Sequence, residues 1–313
     1  MDGNPTPPQP ILISGASGLV GSALSARLAT EGRPVRRLVR APALAERAGI
    51  RDPAAVPWDP ETGSLDPAAL EGCGAVVHLA GESLASGRWT AARMRRIRDS
   101  RVRGTRLLSG ALASLRTPPA VLVCASAVGW YGDRGAEWLT EDSPPGEGFL
   151  AEVCREWEDA CGAAAAAGIR VVRLRIGAVL ARGAGLLGRL TPVFRAGLGG
   201  RLGSGRQYLS WISLEDLVEV ARRALGDPEL RGPVNAVAPE AVTNGEFTRA
   251  LGRALHRPAR LPVPAAALRV AVGRMADEVL LAGARVRPAR LEAAGFPFRH
   301  PRLGPALEEL LGR

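Results

Sequence analysis

Short apolar runs alternate with longer amphipathic segments along the first 240 residues. Runs rich in Val, Ile and Leu predict strands at 10–14, 35–39, 54–58, 75–79, 120–125 and 170–176. Apolar positions at helical spacing between them predict helices at 18–31, 89–115 and 149–167. Near-continuous apolar strands alternating with helices are typical of a parallel sheet covered on both faces. The pattern therefore predicts an α/β fold with a doubly wound parallel sheet.

The regular alternation of predicted strands and helices ends at about residue 179. Residues 183–205 are rich in glycine and predict a loop within a cap insertion at about 182–205. Strands at 208–212 and 234–237 are predicted to flank a helix at 213–225. Ala-rich runs at 265–283 and 301–312 predict further helices. We therefore expect a nucleotide-binding domain over residues 1–240 and a smaller, mainly helical substrate or cap region over 241–313.

The first predicted strand runs directly into the sequence GASGLVG at residues 15–21. Glycines allow a tight turn and a close approach to a pyrophosphate, whose charge then meets free N–H groups at a helix N-terminus. In this strand–turn–helix position we favour nucleotide binding over a plain tight turn. The chain contains no lysine, which excludes a P-loop. The predicted cofactor contacts in this loop are Gly15, Ser17, Gly18, Leu19, Val20 and Gly21.

The end of the second predicted strand indicates which dinucleotide is bound. A carboxylate there would hold the ribose 2′-hydroxyl of NAD, but the sequence VRRLVR ends in Arg40 instead. A guanidinium suits a 2′-phosphate, which favours NADP(H). The alternative is an arginine that merely ends a strand in water.

Two further parts of the chain, the end of the fourth strand and the helix that follows it, could contact the cofactor. Leu79, Ala80 and Gly81 follow the fourth strand, where small residues would let a ribose and pyrophosphate lie against the backbone. Arg101 falls on the apolar stripe of its helix and needs a buried anion or carbonyl partner. This partner could be the cofactor or a structural group. His78 is expected to be a core histidine, and the three histidines show no spacing typical of a metal site.

Two hydroxyl groups follow the fifth strand and are the candidates for catalysis. Ser126 and Tyr131 lie where ligands of open α/β sheets bind, and could orient or protonate a substrate carbonyl. The alternative is a polar turn packed under the following loop.

Composition narrows the range of partners. The net charge is +10, but the arginines are spread along the chain and there are thirteen aromatic residues, so nucleic acid is not expected as a ligand. No apolar run approaches 18 residues, and residues 1–10 resemble a leader rather than a signal peptide. Four cysteines without paired spacing indicate a reduced, cytoplasmic protein. We expect a small-molecule substrate and no membrane partner; a homodimer is left open.

Several motifs along nearly the full length resemble the atypical short-chain dehydrogenase/reductases called epimerase-family proteins. They are, in chain order, GASGLVG, WDPETG, VVHLAGE, SAVGWYG, TEDSP, LGSGRQYLSWIS, NAVAP and GFPF. The resemblance implies a fold similar to extended sugar-nucleotide epimerases, NADP(H) binding and a distinctive C-terminal domain. It also implies cofactor contacts from the glycine loop, Arg40, Leu79, Ala80, Arg101 and the backbone at Ala178.

The chain departs from that pattern at two places. Ser213 stands where the family often has a histidine, and Phe149 and Val153 stand where extended epimerases have the Tyr-xxx-Lys dyad. In that dyad the phenol is the acid or base and the lysine lowers its pKa. We therefore expect an NADP(H)-dependent oxidoreductase of atypical type acting on a small carbonyl or hydroxyl compound. The alternatives are a non-catalytic NADP(H)-binding sensor or interaction module and, third, a sugar-nucleotide epimerase.

Overall fold

The computed structural model describes residues 9–40 and 54–312. Most of the leader predicted at residues 1–10 lies outside them. The strands that make up the large sheet are β1 Ile11–Ser14, β2 Val35–Arg40, β3 Ala55–Asp59, β4 Ser64–Leu65, β5 Ala75–His78, β6 Val121–Ala127, β8 Arg170–Ile176 and β12 Gly232–Ala236. The shorter strands elsewhere are β7 Trp138–Leu139, β9 Ala178–Ala181, β10 Tyr208–Leu209, β11 Trp211–Ser213, β13 Val242–Thr243 and β14 Arg285–Val286.

The large sheet has the order β12-β8-β6-β5-β1-β2-β3-β4. Its pairs are parallel except for the antiparallel pair of β3 with the edge strand β4. Strand order reverses on the two sides of β1, and the carboxyl ends of β1 and β5 meet at that switch point. Open α/β sheets bind ligands in such a crevice.

Helices cover both faces of the sheet. They are, in chain order, α1 Leu19–Thr30, α2 Ala91–Ala113, α3 Phe149–Asp159, α4 Gly162–Ala166, α5 Gly185–Arg195, α6 Leu214–Gly226, α7 Asn244–Ala254, α8 Ala265–Val272, α9 Ala289–Ala293 and α10 Leu303–Leu311. Leu24 of α1 and Leu217 of α6 pack in the core on one face of the sheet. Leu108 of α2 and Trp157 of α3 pack on the other face. The doubly wound α/β prediction is confirmed.

Two sequence predictions of local structure were wrong. The segment at 183–205 contains the helix α5, which buries Leu187 and Phe194 against Trp211. The flanking glycines concealed this amphipathic spacing. The helix predicted at 149–167 is divided into α3 and α4, with the break at Ala160 and Cys161.

The C-terminal region is tied to the large sheet region by short strands. The strand β14 pairs with β7 in parallel, and β13 pairs with β10 in antiparallel. The helices α7 and α10 pack together in a cluster that includes Leu251 and Leu307. The domain boundary at residue 240 stays a prediction. Within the described ranges, no helix is both long and apolar enough to cross a membrane.

Candidate active site

Gly15 brings the ends of β1 and β5 into close contact. Its φ is +69°, in the left-handed region that favours glycine. A Cβ at Gly15 would lie 3.0 Å from the backbone nitrogen of Ala80 and 3.0 Å from the carbonyl carbon of Leu79. The chain therefore crosses the end of β5 at a distance that no other residue allows.

Gly21 and Gly18 close the same loop. A Cβ at Gly21 would lie 2.2 Å from the carbonyl oxygen of Gly15, so the first turn of α1 packs directly on the loop backbone. The N–H of Gly18 donates to that same oxygen at 3.0 Å. The glycines thus form a compact turn whose outer side, at Ser17 and Gly18, is exposed.

The N-terminus of α1 is open to an anion. Gly18 is the N-cap, it gives no side-chain cap, and the first turn has no acidic residue. The first N–H groups of a helix lack intrahelical acceptors, and those of Leu19, Val20 and Gly21 have no other acceptor in the described part of the chain. Free N–H groups and the helix dipole together favour a phosphate at this position.

A buried pair below the glycine loop holds the two strand ends together. Ser14 Oγ accepts the N–H groups of Leu79 at 3.1 Å and Ala80 at 3.2 Å, and lies 2.6 Å from His78 Nδ1. Because both lone pairs of the hydroxyl are used, its proton points at Nδ1, and we assign the ring proton of His78 to Nε2. Burial lowers the pKa of His78 to about 4. The imidazole is therefore a neutral core residue, as predicted.

Arg40 ends β2 on the cofactor side of the sheet. Ser14 is in register with Leu38, so Arg40 lies two residues beyond it at the carboxyl edge that carries the glycine loop. Its side chain is exposed. The register therefore brings an exposed positive charge to the edge of the sheet that carries the glycine loop.

A cavity of about 400 Å³ lies beyond the ends of β6 and β8. Ala127 and Ile176 form its floor, and Ala178 and Gly283 are also in its wall. Its volume falls within the range of small-molecule sites. Val153, at the lysine position of the Tyr-xxx-Lys dyad, contributes an apolar surface to the lining together with its neighbours Leu150 and Cys154.

Arg101 projects from α2 into the wall of this cavity. Its Nη1 donates to the carbonyl oxygens of Glu82 at 3.0 Å and Ile97 at 3.1 Å, and the guanidinium carbon lies 5.1 Å from the ring centroid of Trp157. Burial lowers the pKa of Arg101. One nitrogen is thus bonded to protein carbonyls, and the others have no protein partner in the described ranges.

Ser126 and Tyr131 do not line the cavity. Ser126 Oγ donates to Glu158 at 2.8 Å, and Tyr131 is fully buried. The Tyr131 hydroxyl lies 2.6 Å from Asn235 Oδ1 and accepts from Arg175 Nη1 at 3.0 Å. Burial is the main cause that raises the pKa of Tyr131 to about 12. This geometry does not favour the predicted role of either hydroxyl in proton transfer, because both are buried away from the cavity lining and bonded to buried partners.

The centre of this buried network is an ion pair that sequence reasoning missed. Arg175 Nε and Nη2 donate to the two carboxylate oxygens of Glu158 at 2.9 and 3.1 Å, and both side chains are at most 3% exposed. The guanidinium carbon also lies 3.9 Å from the ring centroid of Trp130. Strand β8 also contains Arg170 and Arg173, so no signal in the sequence singled out Arg175.

Glu278 reaches the cavity from the C-terminal region. Its carboxylate accepts the N–H groups of Phe149 at 3.1 Å and Leu150 at 3.2 Å, at the start of α3. Gly148 has a φ of +99°, and a Cβ there would lie 3.1 Å from Glu278 Oε2. A carboxylate from another element therefore caps the helix that lacks the dyad tyrosine. Sequence reasoning did not single out Glu278.

Ser213 shows what replaces the histidine that the resemblance implies. It is buried, and its Oγ accepts the N–H of Asp216 at 3.1 Å, which caps α6. The Asp216 carboxylate accepts the N–H groups of Arg299 at 2.7 Å and His300 at 2.9 Å. The position thus serves helix capping in this chain.

In the ranges 9–40 and 54–312, no group of His, Cys, Asp and Glu is arranged to hold a metal ion.

A parallel sheet with a glycine loop and an uncapped helix at its switch point defines a dinucleotide-binding α/β protein. A family model described as "NAD dependent epimerase/dehydratase family" matches residues 11–237, and one described as "Domain of unknown function (DUF1731)" matches residues 263–310. The chain belongs to the NAD dependent epimerase/dehydratase family.

Full-length relatives support this assignment. An epimerase family protein of Mycobacterium tuberculosis is 47% identical over 298 residues, covering 95% of this chain and 96% of that protein. The human epimerase family protein SDR39U1 is 34% identical, covering 96% and 99%. Its crystal structure with NADPH matches with a TM-score of 0.85 at 33% identity, over 96% of this chain and 99% of that chain.

A more distant structure supports the fold alone. MoeE5 in complex with UDP-glucose and NAD matches with a TM-score of 0.73 at 20% identity, over 96% of this chain and 97% of that chain. The family model and the full-length relatives confirm the predicted resemblance to epimerase-family proteins.

Proposed function

We propose that this chain binds NADP(H) and acts as an oxidoreductase on a small carbonyl or hydroxyl compound in the cavity beyond β6 and β8. The observation that carries the proposal is the open N-terminus of α1, whose free N–H groups face the glycine loop. Arg40 lies at the same sheet edge and supplies the charge for a 2′-phosphate. The human relative solved with NADPH supports the choice of cofactor.

The residues present fit the cofactor. At Gly15, Gly18 and Gly21 a Cβ would lie 3.2 Å or less from a backbone atom of the protein, so the glycines allow the compact loop that a pyrophosphate site requires. NADPH, when bound, supplies the hydride that reduces a carbonyl carbon. Arg101 lines the adjoining cavity and would hold a polar group of the cofactor or substrate with its remaining guanidinium N–H groups.

A proton must also reach the substrate oxygen. We propose that Glu278 exchanges this proton in place of the missing tyrosine. It lines the cavity, its side chain is 15% exposed, and it contacts the backbone of Phe149, which stands at the dyad position. In the oxidation direction its carboxylate would accept the hydroxyl proton, and in reduction the carboxylic acid would return it.

A second candidate is NADP(H) binding without turnover. It is favoured by the apolar lining at Leu150 and Val153 and by the engagement of Ser126 and Tyr131 elsewhere. The same cofactor site would then serve as a sensor or docking module. A sugar-nucleotide epimerase remains the third candidate.

Calorimetric titration of NADPH and NADH tests the cofactor assignment. Wild-type protein should prefer NADPH, and Arg40→Ala should weaken NADPH binding about 10- to 100-fold while leaving NADH binding unchanged, because a charge-assisted contact contributes about 1.5–3 kcal/mol. Arg95→Ala is the matched control, since Arg95 is exposed on α2 and removes the same charge. Equal affinities for both cofactors would refute the assignment.

Deuteride transfer separates the enzyme from the sensor. NADPH deuterated at C4 is incubated with a panel of small aldehydes and ketones, and the products are examined by mass spectrometry. Deuterated alcohol that disappears in Glu278→Gln, with NADPH affinity retained, supports the proposed reaction. NADPH binding without any deuterium transfer supports the second candidate.

A further inference from the structure

A second cleft, of about 1060 Å³, lies in the C-terminal part of the molecule. One wall is α7, the other is the segment 256–262, and Arg201 closes one end. The backbone of residues 199–203 pairs with residues 261–263, where Val263 N donates to the Arg201 carbonyl at 2.9 Å and Gly203 N to the Val263 carbonyl at 2.9 Å. This cleft shares no lining residue with the cavity beyond β6 and β8.

One face of α7 forms the floor of the cleft. Its lining residues Gly245, Thr248, Arg249, Gly252 and Arg253 follow steps of three and four, which places them on a single helix face. The two glycines lie near the ends of this face and allow close packing, since a Cβ would lie 3.2 Å from the Gly205 carbonyl oxygen at Gly245 and 3.0 Å from the Arg257 carbonyl oxygen at Gly252. Arg249 and Arg253 lie on the same face and are exposed.

The charge of the cleft is entirely of one sign. Its charged lining residues are Arg201, Arg249, Arg253, Arg257 and Arg260, and it contains no carboxylate. None of these arginines forms an ion pair with a described residue, although arginines elsewhere do so, such as Arg134 with Glu137. Glu246, the acid of α7, lies outside the cleft lining and is held by Thr243 in a capping box at the start of the helix; the Thr243 hydrogen bonds and, to a lesser extent, the charge of Arg249 lower its pKa. The guanidinium groups of the cleft thus have no carboxylate partner in it.

His256 adds a further donor at a position where glycine is usual. Its N–H donates to the Arg253 carbonyl at 3.0 Å and that of Arg257 to the Gly252 carbonyl at 2.9 Å, the hydrogen bonds of a Schellman motif that ends α7. His256 has a φ of +52°, and every other residue in the left-handed region of the described chain is a glycine. The fold accepts the steric strain of a left-handed conformation there, and the His256 side chain lines the cleft.

We propose that this cleft binds a small ligand carrying several phosphate groups. Guanidinium groups form paired hydrogen bonds with phosphate oxygens, and several guanidiniums around one floor suit several adjacent phosphates. The lining has no Phe, Tyr or Trp side chain for base stacking, which favours a phosphate chain over single-stranded nucleic acid. The site is separate from the cofactor site at α1.

Calorimetry with inorganic tripolyphosphate at about 0.15 M ionic strength tests the proposal on the full chain. The double variant Arg249→Gln/Arg253→Gln should weaken binding at least about tenfold. The control is Arg95→Gln/Arg96→Gln, two exposed arginines on α2 that remove the same charge and should leave affinity unchanged. Unchanged NADPH affinity in both double variants shows that the fold and the cofactor site are intact.

Three outcomes would overturn the proposal. They are no tripolyphosphate binding at this ionic strength, an equal loss in both double variants, which would reflect net charge alone, and retained binding in Arg249→Gln/Arg253→Gln. A single-stranded oligonucleotide is titrated in parallel. If it binds more tightly than tripolyphosphate and loses affinity in the same variant, the cleft is a nucleic-acid site and the small-ligand assignment fails.

Discussion

The carboxyl ends of β1 and β6 lie on the same edge of one sheet. They differ in whether their polar groups already have hydrogen-bond partners within the protein. At the end of β1, the N–H groups of Leu19, Val20 and Gly21 have no partner in the described part of the protein. At the end of β6, Ser126 and Tyr131 are each bonded to buried partners. The N–H groups at the end of β1 are available to a ligand, whereas the hydroxyl groups at the end of β6 already have protein partners.

The difference follows from exposure. Unpaired N–H groups at an exposed helix end are solvated, so leaving them open costs little and a phosphate can replace the water. The network around Glu158 and Arg175 is buried, where each unpaired group would carry a desolvation penalty. Polar residues at a sheet edge therefore mark a binding site only where they remain accessible.

Breaking the buried network should have the largest effect on stability. Glu158→Gln leaves the Arg175 charge without its counter-charge, and we expect a loss of about 3–5 kcal/mol in the free energy of unfolding. Urea unfolding followed by circular dichroism measures it. NADPH affinity of the folded variant should be close to wild type, because Glu158 is not part of the glycine loop.

The exposed pair of Arg98 and Glu156 provides the control on the same helix. Their side chains are 44% and 36% exposed. Glu156→Gln should therefore cost less than about 1 kcal/mol. Equal losses in Glu156→Gln and Glu158→Gln would show that the buried network is not a stabilising centre.

Closing the glycine loop should have the next largest effect. A Cβ at Gly21 would lie 2.2 Å from the Gly15 carbonyl oxygen, so Gly21→Ala forces the loop off the first turn of α1 at a cost of about 1–3 kcal/mol. We expect NADPH affinity to fall about 10-fold or more, since 1.4 kcal/mol corresponds to a factor of ten. NADPH fluorescence titration measures this loss.

Gly110→Ala is the control for this substitution. Gly110 lies in α2 with nothing within 4 Å of an added Cβ, so alanine should leave binding unchanged and stabilise the helix by about 0.5–1 kcal/mol. Undiminished NADPH binding in Gly21→Ala would contradict the assignment of the glycine loop as the cofactor site.

Local features were predictable from sequence, and long-range partners were not. The glycine loop is formed by seven consecutive residues that lead into the first turn of one helix. The spacing of its glycines was therefore enough to predict it. Ser126 depends on Glu158 and Tyr131 on Asn235, which lie 32 and 104 residues away. No periodicity reports such a contact.

The same limit applies to the cavity. Glu278 meets Phe149 across 129 residues of sequence, through a C-terminal segment whose path no local pattern indicates. The helix α5 was missed for a different reason, because glycines at both ends gave a loop signal that outweighed the spacing of Leu187 and Phe194. Charge at an apolar position was the informative signal for Arg101, whereas Arg175 lies in a strand with two other arginines and could not be singled out in this way.

The buried His78, at the ends of β1 and β5, makes the stability of the protein depend on pH. Burial lowers its pKa from 6.5 to about 4, so the unfolded chain takes up a proton before the folded chain does as the pH falls. Its contribution to stability is therefore full above about pH 6.5 and is lost progressively towards pH 4. Between pH 7 and pH 5 we expect a loss of about 2 kcal/mol in the free energy of unfolding from this residue.

Urea unfolding at both pH values measures this loss. The variant His78→Gln, which can still accept the Ser14 proton, should remove that part of the pH dependence. The other two histidines are present in both proteins and cancel in the difference. The same pH dependence in wild type and His78→Gln would contradict a buried neutral imidazole.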